Sequence, residues 1–352
     1  MKNLWSDAEA SSILNDDLAL RVYTSRLLGR EDSLVLHGGG NTSVKSTEVN
    51  FFGEEVETLY IKGSGWDLKT IEKEGFSPVD QKTCLKLSEK ASMTDTEMVT
   101  QLRLALLNPS APDGSIETLV HASIPYKFID HTHADAILVM TNSPEGMKAL
   151  EATFPDFLVL PYVMPGFDLA KQIQEAVQAG QIEGKIGIIL LSHGIFTFAD
   201  DAKLSYDRMI ESVSRAEKVI ASFKSDAKET AAPEVDPLVI AAIRSEVSKL
   251  RGCAQTLRID QGADALALAT HANASDIGTR GPMTPDHTIR TKRLAGFIAD
   301  NPEADLKAYK ESYLAYYDKH HGEEHTCLDP SPRWAILKDK GILAFGKTRK
   351  EV

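Results

Sequence analysis

The spacing of apolar residues divides the first two thirds of the chain into alternating helices and strands. Apolar residues three and four positions apart predict helices over residues 7–28, 94–107 and 202–223. Thr94 followed by Glu97 is a capping-box pattern, which is typical of a helix start. Short β-prone runs predict strands at residues 34–36, 42–45, 58–61, 128–133 and 186–191. This alternation predicts an α/β layered domain.

The last third of the chain has a different pattern, in which helical spacing dominates. Residues 239–250 and 305–317 are predicted helices, and Thr284 followed by Pro285 is a further helix start. Residues 334–337 and 341–345 predict a small hairpin. Residues 224–237 contain no aromatic residue and two prolines, which is typical of a linker. We therefore expect a first domain over residues 1–223 and a mostly helical segment over residues 238–352.

Composition narrows the class of protein. The chain has 352 residues, of which 42% are hydrophobic, and this length suggests two globular domains or one large domain with a substantial appendage. Its longest apolar run, residues 186–191, is far shorter than a membrane-spanning helix, and the N-terminus lacks the apolar stretch of a signal peptide. The net charge of −12 argues against a nucleic-acid or membrane-surface partner. Three widely spaced cysteines indicate reduced thiols, so we expect a cytoplasmic protein.

Three histidines form the strongest candidate for chemistry. His131 and His133 are two positions apart in a predicted strand, so their side chains are expected on one face. His193 follows the predicted strand 186–191 and is able to supply a third imidazole. Three neutral histidines leave Zn²⁺ its full charge and an open coordination position, the arrangement of a catalytic site. Asp130 is expected to orient one of the imidazoles.

A carboxylate and two glycine-rich loops complete the candidate site. Glu117 begins a predicted helix some 14 residues before His131 and is a candidate base for a proton next to a carbonyl. His121 shares its helix face and is interpreted as a packing or supporting residue. Loops of this kind favour phosphate because backbone N–H groups approach the anion closely. The two predicted phosphate-binding loops contain Asn41, Thr42 and Ser43, and Lys62, Gly63, Ser64 and Gly65.

Taken in order, six short motifs resemble the class II aldolase/adducin family. They are Gly40-Asn41-Thr42-Ser43, Lys62-Gly63-Ser64-Gly65, Ser115-Ile116-Glu117, His131-Thr132-His133, Leu160-Pro161-Tyr162 and His193-Gly194. The likeness spans about residues 10 to 223. It implies a three-layer αβα fold with a mainly antiparallel central sheet, and a homotetramer with active sites between subunits.

The resemblance also implies a set of roles. His131, His133 and His193 would bind Zn²⁺, and Glu117 would act as the acid/base. The substrate phosphate would be held by Asn41, Ser64, Gly65 and Ser115. Lys62 is a departure, because the simple aldolases carry an uncharged residue there.

These roles predict a metal-dependent aldolase. Its substrate would be a ketose phosphate similar to rhamnulose or fuculose 1-phosphate, cleaved to dihydroxyacetone phosphate and an aldehyde. A 4-epimerase or a dehydratase acting on a sugar phosphate is the alternative on the same scaffold, and a non-catalytic adducin-like interaction module is another. Residues 238–352 resemble the region that follows the aldolase domain in bacterial aldolase/short-chain-dehydrogenase fusions, and we expect no dehydrogenase activity from this chain.

Overall fold

The computed structural model describes residues 1–223, 231–322 and 325–352, which form two compact units. The first unit comprises Met1–Phe223 and, from much later in the chain, Met283–Asp286. The second comprises the other described residues. Of the predicted linker, residues 224–230 lie outside the described residues, and Pro237 already begins a helix.

A seven-stranded sheet forms the centre of the first unit. Its strand order is β3-β2-β1-β4-β7-β6-β5, and every neighbouring pair is antiparallel except β5 and β6. The expected mainly antiparallel sheet is thereby confirmed. The strands are β1 (Asn41–Val49), β2 (Glu55–Lys62), β3 (Phe76–Asp80), β4 (Phe128–Thr132), β5 (Phe157–Leu160), β6 (Gly187–Leu190) and β7 (Gly194–Ala199).

Helices cover both faces of this sheet and give the three layers. One apolar core joins the sheet to α3, α4, α5 and α8, and a second core joins the opposite face to α2, α6, α7 and α9. The helices of this unit are α1 (Asp7–Ala10), α2 (Asp17–Gly29), α3 (Gln81–Ser88), α4 (Asp95–Leu104), α5 (Thr118–Ser123), α6 (Asp135–Thr141), α7 (Pro144–Thr153), α8 (Phe167–Gln178) and α9 (Ala202–Ala221). Two single-turn 3₁₀ helices occur at Leu68–Thr70 and Lys73–Gly75.

Two local predictions in this unit were wrong. The helix predicted over residues 7–28 is broken into α1 and α2, because the Asp16 side chain accepts a hydrogen bond from the Ala19 N–H and starts a new helix. No strand forms at residues 34–36: Leu34 ends a turn, in which its N–H donates to the Glu31 carbonyl, and residues 35–36 have no regular secondary structure. The apolar signal at Leu34 and Val35 reflects their burial in the core and not membership of the sheet.

The second unit combines helices with a four-stranded sheet. The predicted hairpin is confirmed as β10 and β11, whereas β8 and β9 were missed. Its strands are β8 (Thr256–Asp260), β9 (Gly296–Ile298), β10 (Trp334–Leu337) and β11 (Gly341–Gly346). Its helices are α10 (Pro237–Arg251), α11 (Ala263–Ala269), α12 (Ala274–Gly278) and α14 (Pro302–His320). Helix α13 (Pro285–Thr291) begins within Met283–Asp286, which belongs to the first unit, and continues into the second unit. None of the helices in residues 1–223, 231–322 and 325–352 combines the length and the hydropathy of a membrane-spanning segment.

Candidate metal centre

The central strand of the first sheet presents two of the three histidines. β4 lies between β1 and β7, and His131 pairs with Asn41 on one side and Phe196 on the other. His133 follows directly after the last residue of β4. The Nε2 atoms of His131 and His133 are 3.1 Å apart, so the two rings converge as the two-residue spacing predicts.

A tight turn brings in the third histidine. β6 and β7 form a hairpin in which Leu190 pairs with Gly194, and His193 lies in the connecting turn. Ser192 adopts a positive φ of 56°, a conformation that costs energy in a residue with a side chain and is common at functional sites. Only glycine fits at position 194, because a Cβ there would lie 2.4 Å from the Thr132 carbonyl oxygen. The turn therefore holds His193 directly beside the end of β4.

The three imidazoles fit a divalent cation. Each of His131, His133 and His193 offers one ligand atom, and these atoms all lie within 4.8 Å of one another. Two nitrogens bound to one tetrahedral Zn²⁺ at about 2.0–2.1 Å are separated by about 3.3 Å, close to the observed Nε2–Nε2 distance. His131 Nδ1 lies 3.1 Å from the Ile195 carbonyl oxygen. A proton on Nδ1 makes that hydrogen bond and leaves the Nε2 lone pair for a metal.

Burial favours the neutral, metal-binding form of His131 and His193. Desolvation lowers the pKa of His131 well below its usual value, and the neighbouring His133 and His193 lower it further. Desolvation also lowers the pKa of His193, against the opposing effect of Glu117. An imidazole must be unprotonated at the ligating nitrogen to bind a metal, so this environment supplies the required state.

The Glu117 carboxylate lies against the histidines. Its Oε2 is 3.3 Å from His131 Nε2, and its Oε1 is 3.3 Å from His193 Nε2. The residue precedes α5 at the N-cap position, yet its side chain does not cap the helix. Oε1 is buried and has no hydrogen-bond partner among the described residues. A buried carboxylate oxygen without a donor is costly, and a cation or substrate hydroxyl bound beside it would supply the missing interaction.

A chain of hydrogen bonds holds this carboxylate in place. Asn41 Nδ2 donates to Glu117 Oε2 at 2.6 Å and to Ser115 Oγ at 3.1 Å. His121 Nε2 contacts Asn41 Oδ1, and His121 Nδ1 contacts Ser43 Oγ. Burial lowers the pKa of His121 to about 3, so the ring is neutral. The Asn41 amide was expected to bind phosphate, but its Nδ2 hydrogen bonds the Glu117 carboxylate. Its Oδ1 contacts His121, which fixes the orientation of the amide.

The second glycine-rich loop follows β2 and remains accessible in part. Ser64 and Gly65 are exposed, and the Gly65 φ of 81° is in the left-handed region that glycine adopts without strain. Gly63 pairs with Gly114, and Ser115 N–H donates to the Lys62 carbonyl, so the loop lies beside the Glu117 segment. Lys62 Nζ donates to the Gly38 carbonyl at 2.7 Å, which places a cation where the two loops approach each other.

Two predicted residues lie on the other side of the sheet. Thr42 is buried there and its Oγ1 hydrogen bonds Ser25 Oγ at 2.8 Å, so its side chain does not reach the histidines. Asp130 was expected to orient an imidazole, and this was wrong. It is fully buried and forms an ion pair with Arg21. Adjacent residues of a strand point to opposite faces, so Asp130 faces away from His131.

The site contains one acidic residue that was not predicted from the sequence, Asp286. Its Oδ1 lies 2.7 Å from His133 Nδ1, and its Oδ2 accepts a hydrogen bond from Leu36 N–H at 2.9 Å. The residue is 153 positions from His133 in the sequence. No local motif marks it; the only available signal was the helix start at Thr284 and Pro285 directly before it.

Two family models match the chain. Residues 19–220 match the Class II Aldolase and Adducin N-terminal domain, and residues 234–352 match the second domain of class II aldolase. The first match alone covers more than half of the chain.

Individual proteins are also similar. The chain is 30% identical over 372 aligned positions to the uncharacterized oxidoreductase YuxG of Bacillus subtilis, covering 99% of this chain and 53% of that protein. It therefore spans about half the length of this curated relative. Among solved structures, the N-terminal class II aldolase domain of a conserved Thermoplasma acidophilum protein is 42% identical, with a TM-score of 0.58. That alignment covers 62% of this chain and 99% of the other.

Proposed function

Because the chain belongs to the class II aldolase and adducin family, we propose that it is a metal-dependent aldolase acting on a ketose phosphate. The observation that carries the proposal is the convergence of His131, His133 and His193 beside Glu117 Oε1, a buried atom without a hydrogen-bond partner in the described structure. A non-catalytic interaction module has no need to keep these ligands and this carboxylate together. The proposed reaction cleaves the C3–C4 bond to give dihydroxyacetone phosphate and an aldehyde.

The three histidines would hold a divalent cation, with Zn²⁺ as the proposed ion because of the all-imidazole ligand set. When bound, the cation supplies a Lewis acid that stabilises negative charge on the substrate oxygens. Cleavage requires removal of a proton from the C4 hydroxyl and addition of a proton at C3. We assign the transfer at C3 to Glu117, whose position is fixed by the amide of Asn41.

The phosphate is proposed to bind at the loop after β2. Ser64 and Gly65 are exposed there, and Lys62 supplies positive charge. Ser115 contributes a hydroxyl that already accepts a hydrogen bond from Asn41. A phosphate dianion would receive charge-assisted hydrogen bonds from such donors, which are about twice as strong as neutral ones. The positive charge of Lys62 is consistent with an anionic substrate.

A substrate panel tests the reaction directly. The zinc-loaded full chain is incubated with rhamnulose 1-phosphate, fuculose 1-phosphate and ribulose 5-phosphate, and dihydroxyacetone phosphate is measured by a coupled reductase. We expect its release from a ketose 1-phosphate, with an aldehyde in equal amount. Interconversion of pentose phosphates would point instead to a 4-epimerase, and loss of water to a dehydratase. A loaded protein that leaves every phosphate unchanged would remove the proposal.

A further inference from the structure

A carboxylate from far along the chain is built into the proposed metal centre. Asp286 belongs to the range 234–352 matched by the second family model, yet Met283–Asp286 groups with the first unit. Asn142 Nδ2 donates to the Met283 carbonyl at 3.2 Å and holds the start of this segment. The Asp286 side chain is only 3% exposed. Its burial beside His133 is therefore a specific placement and not a surface contact.

Asp286 makes contacts to two parts of the site at once. One carboxylate oxygen faces His133 Nδ1, and the other accepts from the Leu36 backbone N–H. Gly39 approaches so closely that a Cβ on it would lie 1.8 Å from Asp286 Oδ1, which explains glycine at this position. The carboxylate thus joins the first glycine-rich loop to one of the three imidazoles.

The geometry points to Asp286 as a positioning residue for the metal ligand His133, an inference that rests on the proposed function. A carboxylate can only accept, so in the metal-binding form of His133 the single ring proton is held on Nδ1. The lone pair is then on Nε2, the atom that faces His131 Nε2. His131 obtains the same orientation from the Ile195 carbonyl, whereas His133 obtains it from a full negative charge. Outer partners of this type increase ligand basicity and metal affinity.

Metal affinity measured by chelator competition tests this assignment on the full chain. Removing an outer partner costs about 10–100-fold in metal affinity, and we expect a weakening of zinc binding in this range for Asp286→Ala. Asp286→Asn keeps the side-chain volume but removes the negative charge. Its amide can present either the oxygen or the NH₂ group to His133 Nδ1, so we expect zinc affinity between those of wild type and Asp286→Ala. Asp168→Asn changes an exposed carboxylate of the first unit and should leave zinc affinity unchanged.

A second readout separates positioning from general damage. Nitrogen-15 NMR of the histidines reports which ring nitrogen carries the proton, and we expect the Nδ1–H form of His133 in the wild-type chain and a mixture in both Asp286 variants. If Asp286→Ala does not fold, Asp286→Asn decides the question. Zinc affinity and tautomer indistinguishable from wild type in a folded variant would overturn the assignment.

The outcomes also separate this inference from the proposed reaction. A chain whose zinc affinity depends on Asp286 but which cleaves no ketose phosphate would contradict the aldolase and leave the assignment standing. A wild-type chain that binds no divalent ion would overturn both.

Discussion

His131 and Asp130 are neighbours on β4, both fully buried, and their surroundings are opposite in kind. Asp130 forms an ion pair with Arg21, and its second oxygen accepts a hydrogen bond from Ser205. On the other face, Glu117 lies against His131 with one oxygen that lacks a hydrogen-bond partner in the described structure. On the Asp130 face, both carboxylate oxygens have partners and the charges stabilise the fold. On the His131 face, Glu117 Oε1 lacks a partner in the described structure, and this face is suited to bind a cation or a substrate hydroxyl. Buried charge alone therefore does not mark a site.

Glu117→Gln should have the largest effect of these variants, a loss of catalytic rate, and it tests the face of β4 that carries His131. The amide keeps the size of the side chain but cannot take up or release a proton. Loss of general acid–base catalysis costs about 10²–10⁴-fold, and we expect kcat to fall within this range while zinc content is retained. Steady-state kinetics with metal analysis checks both quantities. Unchanged kcat in the variant would exclude Glu117 from the proton transfer.

Asp130→Ala should have the next largest effect, on stability and not on the site. It leaves the buried Arg21 guanidinium without its counter-charge, and breaking a buried ion pair in this way costs about 3–5 kcal/mol. Urea unfolding measures the loss. The folded variant is expected to bind zinc with wild-type stoichiometry, since Asp130 points away from the histidines. Loss of zinc from a folded variant would show that the two faces are not independent.

The paired replacement sharpens this test. Arg21→Met combined with Asp130→Leu removes both charges, and we expect it to cost less than the sum of the single changes. Additive losses would contradict the view that Asp130 matters mainly through Arg21.

The smallest expected effect concerns Lys62 and pH. Burial lowers the pKa of Lys62 to about 8, against the opposing charges of Asp286, Asp67 and Glu117. The ammonium is charged below this pH and neutral above it, so KM for a phosphorylated substrate should rise as pH increases through about 8. A hydrogen bond to a charged group contributes about 1.5–3 kcal/mol, hence roughly a 10–100-fold change in KM. In Lys62→Met, KM should be high at every pH. If KM of this variant still rises with pH as in wild type, Lys62 is not the group responsible for the pH dependence.

The sequence predicts those site residues that lie close together along the chain, at the end of one strand. The His131/His133 pair follows from strand alternation, and the same rule, applied one residue earlier, places Asp130 on the opposite face. The turn at Leu34 was misread as a strand because burial and strand formation leave the same apolar signal over three residues. Asp286 was missed for a different reason. Its contact with His133 depends on how a segment 153 positions away folds back, which no local pattern encodes.

Metal content of the full chain shows whether His131, His133 and His193 together bind a divalent ion. The wild-type protein and His193→Ala are loaded with zinc, dialysed against buffer and analysed by elemental mass spectrometry, with circular dichroism to confirm folding. We expect one zinc ion per wild-type chain and none in His193→Ala, since the variant retains only two of the three imidazoles. A wild-type chain that retains no metal, or a folded His193→Ala that retains as much as wild type, would contradict this expectation.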